Sequence, residues 1–141
     1  MKVYLTRRYR FSASHRLHNE ALSSEENIAL YKKCNNPNGH GHNYTVEVTV
    51  AGPLDPKTGM VIDLGRLDHW VRKEVVDRFD HTHLNEDVEN FRSTVPTTEN
   101  LCREVYRLLK IRMEKDCPHK NVTLTRIRME ETYANSFEYV E

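Results

Sequence analysis

Cysteine is scarce and odd in number: Cys34, Cys102 and Cys117 are the only three in 141 residues. That argues against the disulfide framework that staples many small secreted domains. Long apolar runs are missing too, and none approaches the roughly 20 residues of a membrane-spanning helix. The first ten residues carry Lys2, Arg7, Arg8 and Arg10 without an apolar stretch, so they do not read as a secretory signal, and the expected compartment is the cytoplasm. Neither sign of charge is in excess, with 21 Lys and Arg against 21 Asp and Glu. No electrostatic footprint for nucleic acid or an anionic membrane follows from that sum. A local basic patch is still open to a phosphorylated substrate. Repeats, linkers and low-complexity segments are absent, so residues 1–141 read as a single domain. Hydrophobic residues make up only 38% of the chain. That is thin for a monomer and hints at apolar surface buried between subunits.

What is there in quantity is histidine, eight in all, set within recognisable elements. Val3 to Phe11 alternates as a strand, and Glu20 to Lys33 is a polar excursion with room for a short helix. Cys34 to His42 is a turn-rich loop. Tyr44 to Ala51 is the clearest strand, with Val46, Val48 and Val50 on one side. A turn at Gly52 to Gly59 leads to Met60–Ile62, read as the second arm of a hairpin. Leu64, Leu67, Val71, Val75 and Phe79 mark a helical face behind an Asp63 N-cap. A second helix starts near Thr97–Asn100, with Leu101, Val105, Leu108 and Leu109 inward. Strands return at Val122–Glu131 and Phe137–Val140. Strands at both ends and helices in the middle predict an α+β fold, a mostly antiparallel sheet with helices on one face.

His40-Gly41-His42 sits at the mouth of the Tyr44 strand, where residues two apart point to the same side. His15, after the first strand, can supply a third imidazole. Three neutral imidazoles with an open fourth position describe a catalytic zinc site, and a thiolate from Cys34 would close it as a structural one. Spacing alone leaves both open, beside ordinary loop histidines. Asp80-His81 follows the first helix; a carboxylate beside an imidazole fixes its tautomer and raises its basicity. The two need a turn to cooperate, because neighbours on a strand point apart. A solvated loop is the alternative there, and it also fits His83. Near such a pair Cys34 is the best-placed cysteine to act as thiolate. Glu130-Glu131-Thr132 closes the late strand, where a carboxylate can accept two parallel N–H bonds from a guanidine-like edge. A solvated strand end is the other reading.

The motifs Phe11-Ser12-Ala13-Ser14-His15-Arg16-Leu17, Cys34-Asn35-Asn36-Pro37-Asn38-Gly39-His40-Gly41-His42-Asn43-Tyr44 and Asp55-Pro56-Lys57-Thr58-Gly59-Met60-Val61 resemble, in order, those of the 6-pyruvoyltetrahydropterin synthase family. So do Asp80-His81 with Leu84-Asn85, Thr97-Thr98-Glu99-Asn100 and Glu131-Thr132. The resemblance implies a tunnelling fold (T-fold): an antiparallel four-stranded sheet with two helices on one face, assembled as a homohexamer of two stacked trimers. Each trimer would form a barrel, with active sites at subunit interfaces. It implies that His15, His40 and His42 hold Zn2+, that Cys34 is the general base completed by Asp80 and His81, and that Glu131, helped by Thr97 and Thr98, anchors the pterin. The implied substrate is a reduced pterin triphosphate, 7,8-dihydroneopterin triphosphate, which loses triphosphate. A relative with the same fold, 6-carboxytetrahydropterin synthase of the deazaguanine (queuosine) route, would cleave the side chain instead. The five residues between Cys34 and His40 resemble the pyruvoyl-forming type. A non-catalytic zinc-stabilised module is the reading from another class.

Overall fold

A computed structural model describes all residues, Met1–Glu141. Two long strands form its spine. Strand β1 (Val3–His15) pairs antiparallel with β2 (His40–Gly52) along its whole length, from Val3 opposite Gly52 to His15 opposite His40. Strand β4 (Thr123–Glu130) pairs with the other edge of β2, and β5 (Ser136–Val140) closes that side. A two-residue strand, β3 (Thr82–His83), runs parallel to β1 opposite Ala13 and Ser14. The sheet therefore has five strands in the order β3-β1-β2-β4-β5.

Two expectations are corrected. The sheet has five strands rather than four, because the Asp80 to His83 segment docks onto the free edge of β1. Met60–Ile62 forms no strand. Its turn closes on itself instead: the Asp55 amide donates to the Met60 carbonyl (2.9 Å) and the Gly59 amide to the Asp55 carbonyl (2.7 Å). Val61 and Ile62 are buried all the same, so their apolar side chains serve packing without ladder pairing. Strands β1 and β2 also run further than hydrophobicity suggests, into the motif residues. Ser12, Ser14, Gly41 and Asn43 keep the period of two while carrying no apolar signal.

Helix α1 (Ser24–Tyr31) fills the polar excursion and starts with a Ser23/Glu26 capping box. Leu64–Val71, a π-helical segment Arg72–Val76 and Asp77–Phe79 form one continuous helix, α2, behind the Asp63 N-cap. The π segment turns Glu74 inward, where Arg78 (2.9 Å) and Arg112 (2.5 Å) pair with it. After a short helix α3 (Leu84–Asp87) comes the long α4 (Thr98–Asp116). Helices α2 and α4 cover one face of the sheet. A single cluster of 25 buried residues lies between, including Val46, Val48, Trp70, Val75, Leu101, Leu109 and Ile127. On the other face Tyr4, Arg8 and Arg10 are exposed. Of the outward-facing residues of β2, Glu47 and Thr49 are nevertheless buried. Arg8 and Arg128 pair with Glu47, and Thr6 bonds Thr49. No helix is long and apolar enough to cross a membrane.

Candidate metal and pterin site

The antiparallel register decides which side chains meet. His15 lies opposite His40, and Ala13 opposite His42, so all three histidines project to the helix-covered face at the same end of the β1–β2 ribbon. Their rings cluster with centroids 4.6 Å (His15–His40), 5.1 Å (His15–His42) and 4.8 Å (His40–His42) apart. One ring nitrogen from each falls within 4.8 Å of the others, and Nε2 of His15 faces Nε2 of His40 at 3.0 Å.

Burial fixes the chemistry of this cluster. His15 is 1% exposed, and desolvation lowers its pKa from 6.5 to about 4. Desolvation, then the neighbouring His42, lowers that of His40. Both rings are therefore held neutral. The Nδ1 of His15 lies 2.7 Å from the Pro96 carbonyl. A carbonyl can only accept, so Nδ1 carries the proton and Nε2 presents a bare lone pair to the cluster. Three imidazoles converging at one end of the ribbon, one already oriented from behind, are a donor set fit to hold a metal ion. Cys34 is not among the converging atoms.

Glu131 borders the cluster. Its Oε2 accepts a short hydrogen bond from the Thr98 hydroxyl and lies 3.9 Å from His42 Nε2. The structure separates the two adjacent glutamates. Glu130 ends β4 and pairs with Arg128 (2.9 Å) on the outward face. The chain then bends, and Glu131 turns to the helix side with its side chain only 16% exposed. Thr98 is buried as the first residue of α4. Thr97 is the N-cap, and its hydroxyl accepts from the Asn100 amide at 3.2 Å. Tyr44 lies beneath, fully buried, with its hydroxyl 3.5 Å from His15 Nδ1. Burial and then the Glu131 charge raise its pKa, so it stays a neutral phenol.

Asp80 and His81 do form a pair, through the turn that cooperation requires. His81 adopts φ 60, a left-handed conformation uncommon for a residue with a side chain. Its amide donates to the Ser12 carbonyl (2.6 Å), while Asp80 Oδ1 accepts from the Ser12 amide (2.9 Å). That leaves Asp80 Oδ2 at 2.9 Å from His81 Nδ1. The Ser12 N–H, then His81, hold the Asp80 carboxyl below its usual range. As an ionised acceptor it places the proton on Nδ1, so His81 Nε2 is free to take one up. The imidazole is 83% exposed.

Cys34 occupies a 3₁₀ turn, Lys32–Asn35, with a free, half-buried thiol. Its carbonyl accepts from the Leu17 amide (2.9 Å), which sets the turn beside the end of β1. His83 is not a solvated loop residue: it lies half-buried in β3. A Cβ at Gly39 (φ +74) would come within 2.9 Å of its Nε2, which explains the glycine there. The Pro96 carbonyl, Tyr44 and the Ser12 peptide escaped sequence reasoning. Backbone groups and a core tyrosine carry no motif of their own.

The family model for 6-pyruvoyl tetrahydropterin synthase matches residues 4–141. The chain belongs to the 6-pyruvoyl tetrahydropterin synthase family. The 6-pyruvoyl tetrahydrobiopterin synthase of Drosophila melanogaster is 43% identical over 137 residues, 97% of this chain and 79% of that protein. The solved structure of the Caenorhabditis elegans 6-pyruvoyl tetrahydropterin synthase superposes with a TM-score of 0.92 at 42% identity, covering 100% of this chain and 96% of that one. A putative 6-carboxy-5,6,7,8-tetrahydropterin synthase of Archaeoglobus fulgidus is 36% identical over 111 residues, 79% of this chain and 82% of that protein. Family membership accounts for the fold, the T-fold of these synthases, and for the α+β layering described above.

Proposed function

We propose that the protein is a zinc lyase of the 6-pyruvoyl tetrahydropterin synthase type, acting on 7,8-dihydroneopterin triphosphate. One observation carries the reading: the three-histidine cluster adjoins the Glu131–Thr98 pair, a donor set able to hold a metal ion with a carboxylate fit for a pterin edge 3.9 Å from its His42 ring nitrogen. His15, His40 and His42 would hold the zinc, which when bound would supply Lewis acidity to acidify the substrate side chain. Glu131 accepts the paired N–H groups of the pterin ring, oriented by Thr98. Thr97 contributes by starting α4 at that point, and so placing Thr98.

Cys34 is the general base that removes a side-chain proton. Asp80 holds His81 in the tautomer that can receive a proton at Nε2 and return it elsewhere on the substrate. Triphosphate leaves with its bonding electrons, and the side chain becomes pyruvoyl. The oxidation of the side chain is balanced by reduction of the ring, so no external reductant is needed.

The exposed His81 fits a site finished at a subunit interface. We take the working form to be a homohexamer of two stacked trimers in the cytoplasm, each trimer a barrel. Light scattering at micromolar concentration tests the assembly, and a monomer would contradict it. The 6-carboxy reaction is the second reading, favoured by the likeness to the archaeal protein. Incubating the zinc-loaded protein with 7,8-dihydroneopterin triphosphate and weighing the pterin product separates them. A pyruvoyl product is expected; a carboxy product with acetaldehyde would replace the proposal.

A further inference from the structure

Arg16 follows His15 directly, and it bonds to Asn85 and Asn35, which neighbour the Asp80–His81 pair and Cys34 respectively. Its main chain is gripped by one side chain: the Arg16 amide donates to Asn85 Oδ1 (2.8 Å), and Asn85 Nδ2 donates to the Arg16 carbonyl (2.8 Å). Asn85 thus extends the β1–β3 ladder past the last residue of β3, a carboxamide standing in for a peptide group. Through it the segment carrying Asp80 and His81 is tied to the end of the ligand strand. The half-buried guanidinium points the other way, and its Nε–H donates to the Asn35 carbonyl at 3.0 Å.

That bond complements two others at the thiol turn. The Leu17 amide holds the Cys34 carbonyl (2.9 Å), and Asn35 Nδ2 donates to the Leu17 carbonyl (2.8 Å). The peptide planes on both sides of Asn35 are therefore pinned to Arg16 and Leu17. Asn35 itself is only 6% exposed, so its carbonyl has little access to water if the guanidinium is removed. A cationic donor to a shielded carbonyl is among the stronger hydrogen bonds.

We infer that Arg16 is a positioning residue that sets the place of the Cys34 thiol relative to the metal ligands, acting through the Asn35 carbonyl. The inference rests on the reading of Cys34 as the base. It separates Arg16 from a role as triphosphate ligand, in which the charge rather than the Nε donor would matter. Small displacements of a proton-transfer group lower turnover steeply without altering ground-state binding.

Three variants divide the possibilities: Arg16→Met removes the donor, Arg16→Gln restores a donor without charge, and Arg16→Lys keeps the charge. With Arg16→Met, kcat is expected to fall about tenfold or more while KM stays within about twofold. Metal content and melting temperature should hold. The rate of Cys34 alkylation by iodoacetamide, located by peptide mass, should change. Arg16→Gln should recover more of kcat than Arg16→Lys. Asn85→Ala, which frees the Arg16 main chain, should shift the same alkylation rate. A rise in KM with kcat unchanged and rescue by Arg16→Lys would overturn the inference in favour of triphosphate binding. Unchanged alkylation would overturn it, as would loss of metal or an early melt in Arg16→Met. Cys34→Ala, measured alongside, reports on the base: turnover surviving in that variant would remove the reading of Cys34, while the alkylation rates would still report on its placement.

Discussion

The two halves of the site are built on opposite terms. The histidine cluster lies on the inner face, with His15 1% exposed and oriented from behind by the Pro96 carbonyl. The Asp80–His81 pair is clipped to the outer edge of β1, and its imidazole is 83% exposed. All three histidines of the inner half come from one chain. The outer half is held with equal backbone precision, by two hydrogen bonds to Ser12, yet it presents its free nitrogen to nothing within the chain. Metal binding should therefore be a property of the single chain, whereas proton transfer should need what packs against that edge.

The largest effect expected is on the inner half. His15→Ala, His40→Ala or His42→Ala should each abolish metal binding, read by atomic emission on the purified protein; stoichiometric metal in any of them would break the cluster. Next comes Cys34→Ala, where kcat should fall by about 10²–10⁴-fold with metal content unchanged. Loss of metal there would make Cys34 a fourth ligand and favour the structural reading. Asp80→Asn should keep metal and lower kcat less, on the order of ten- to a hundredfold, because it disturbs the His81 tautomer without removing the base. Glu131→Gln should raise KM by about tenfold with metal unaffected, the loss of a hydrogen bond to a charged group. An unchanged KM would remove Glu131 from the pocket.

A separate effect concerns pH and the metal-free protein. His15 has a folded pKa of about 4 against an ordinary 6.5. Between those values the unfolded chain binds more protons, so stability rises with pH. It should be fully present above about pH 6.5 and fall on acidification toward pH 4, by up to about 3 kcal/mol from this group. Urea melts across that range, compared with His15→Gln, would show it. Equal pH slopes in the two proteins would mean that His15 is not desolvated.

Much of the inner half was legible in the sequence, since His40 and His42 at a spacing of two on a strand must share a face. The partnership with His15 needed the β1–β2 register, which a sequence specifies only through the pairing of both strands. The outer half was half legible. Asp80 and His81 could be named, but their cooperation depends on a left-handed turn at a residue that is not glycine, and on the Ser12 peptide. In the sequence only the motif distinguishes Glu131 from Glu130; the bend after β4 that turns their side chains to different faces is marked by no pattern. The hairpin arm at Met60–Ile62 misled because buried apolar residues look alike whether they pair or only pack.

The alternation of β1 also makes its length between Phe11 and His15 a matter of parity. A single residue inserted or deleted there would break the parity that sends His15 to the core and the Ser12 peptide, Asp80's anchor, to the β3 edge. The turn at Asp55–Met60, self-closed and with no atom within 4 Å of a Cβ at Gly59, carries no such constraint. Chains built on this plan are free to lengthen at that turn, while the segment from Phe11 to His15 has to be kept to the residue.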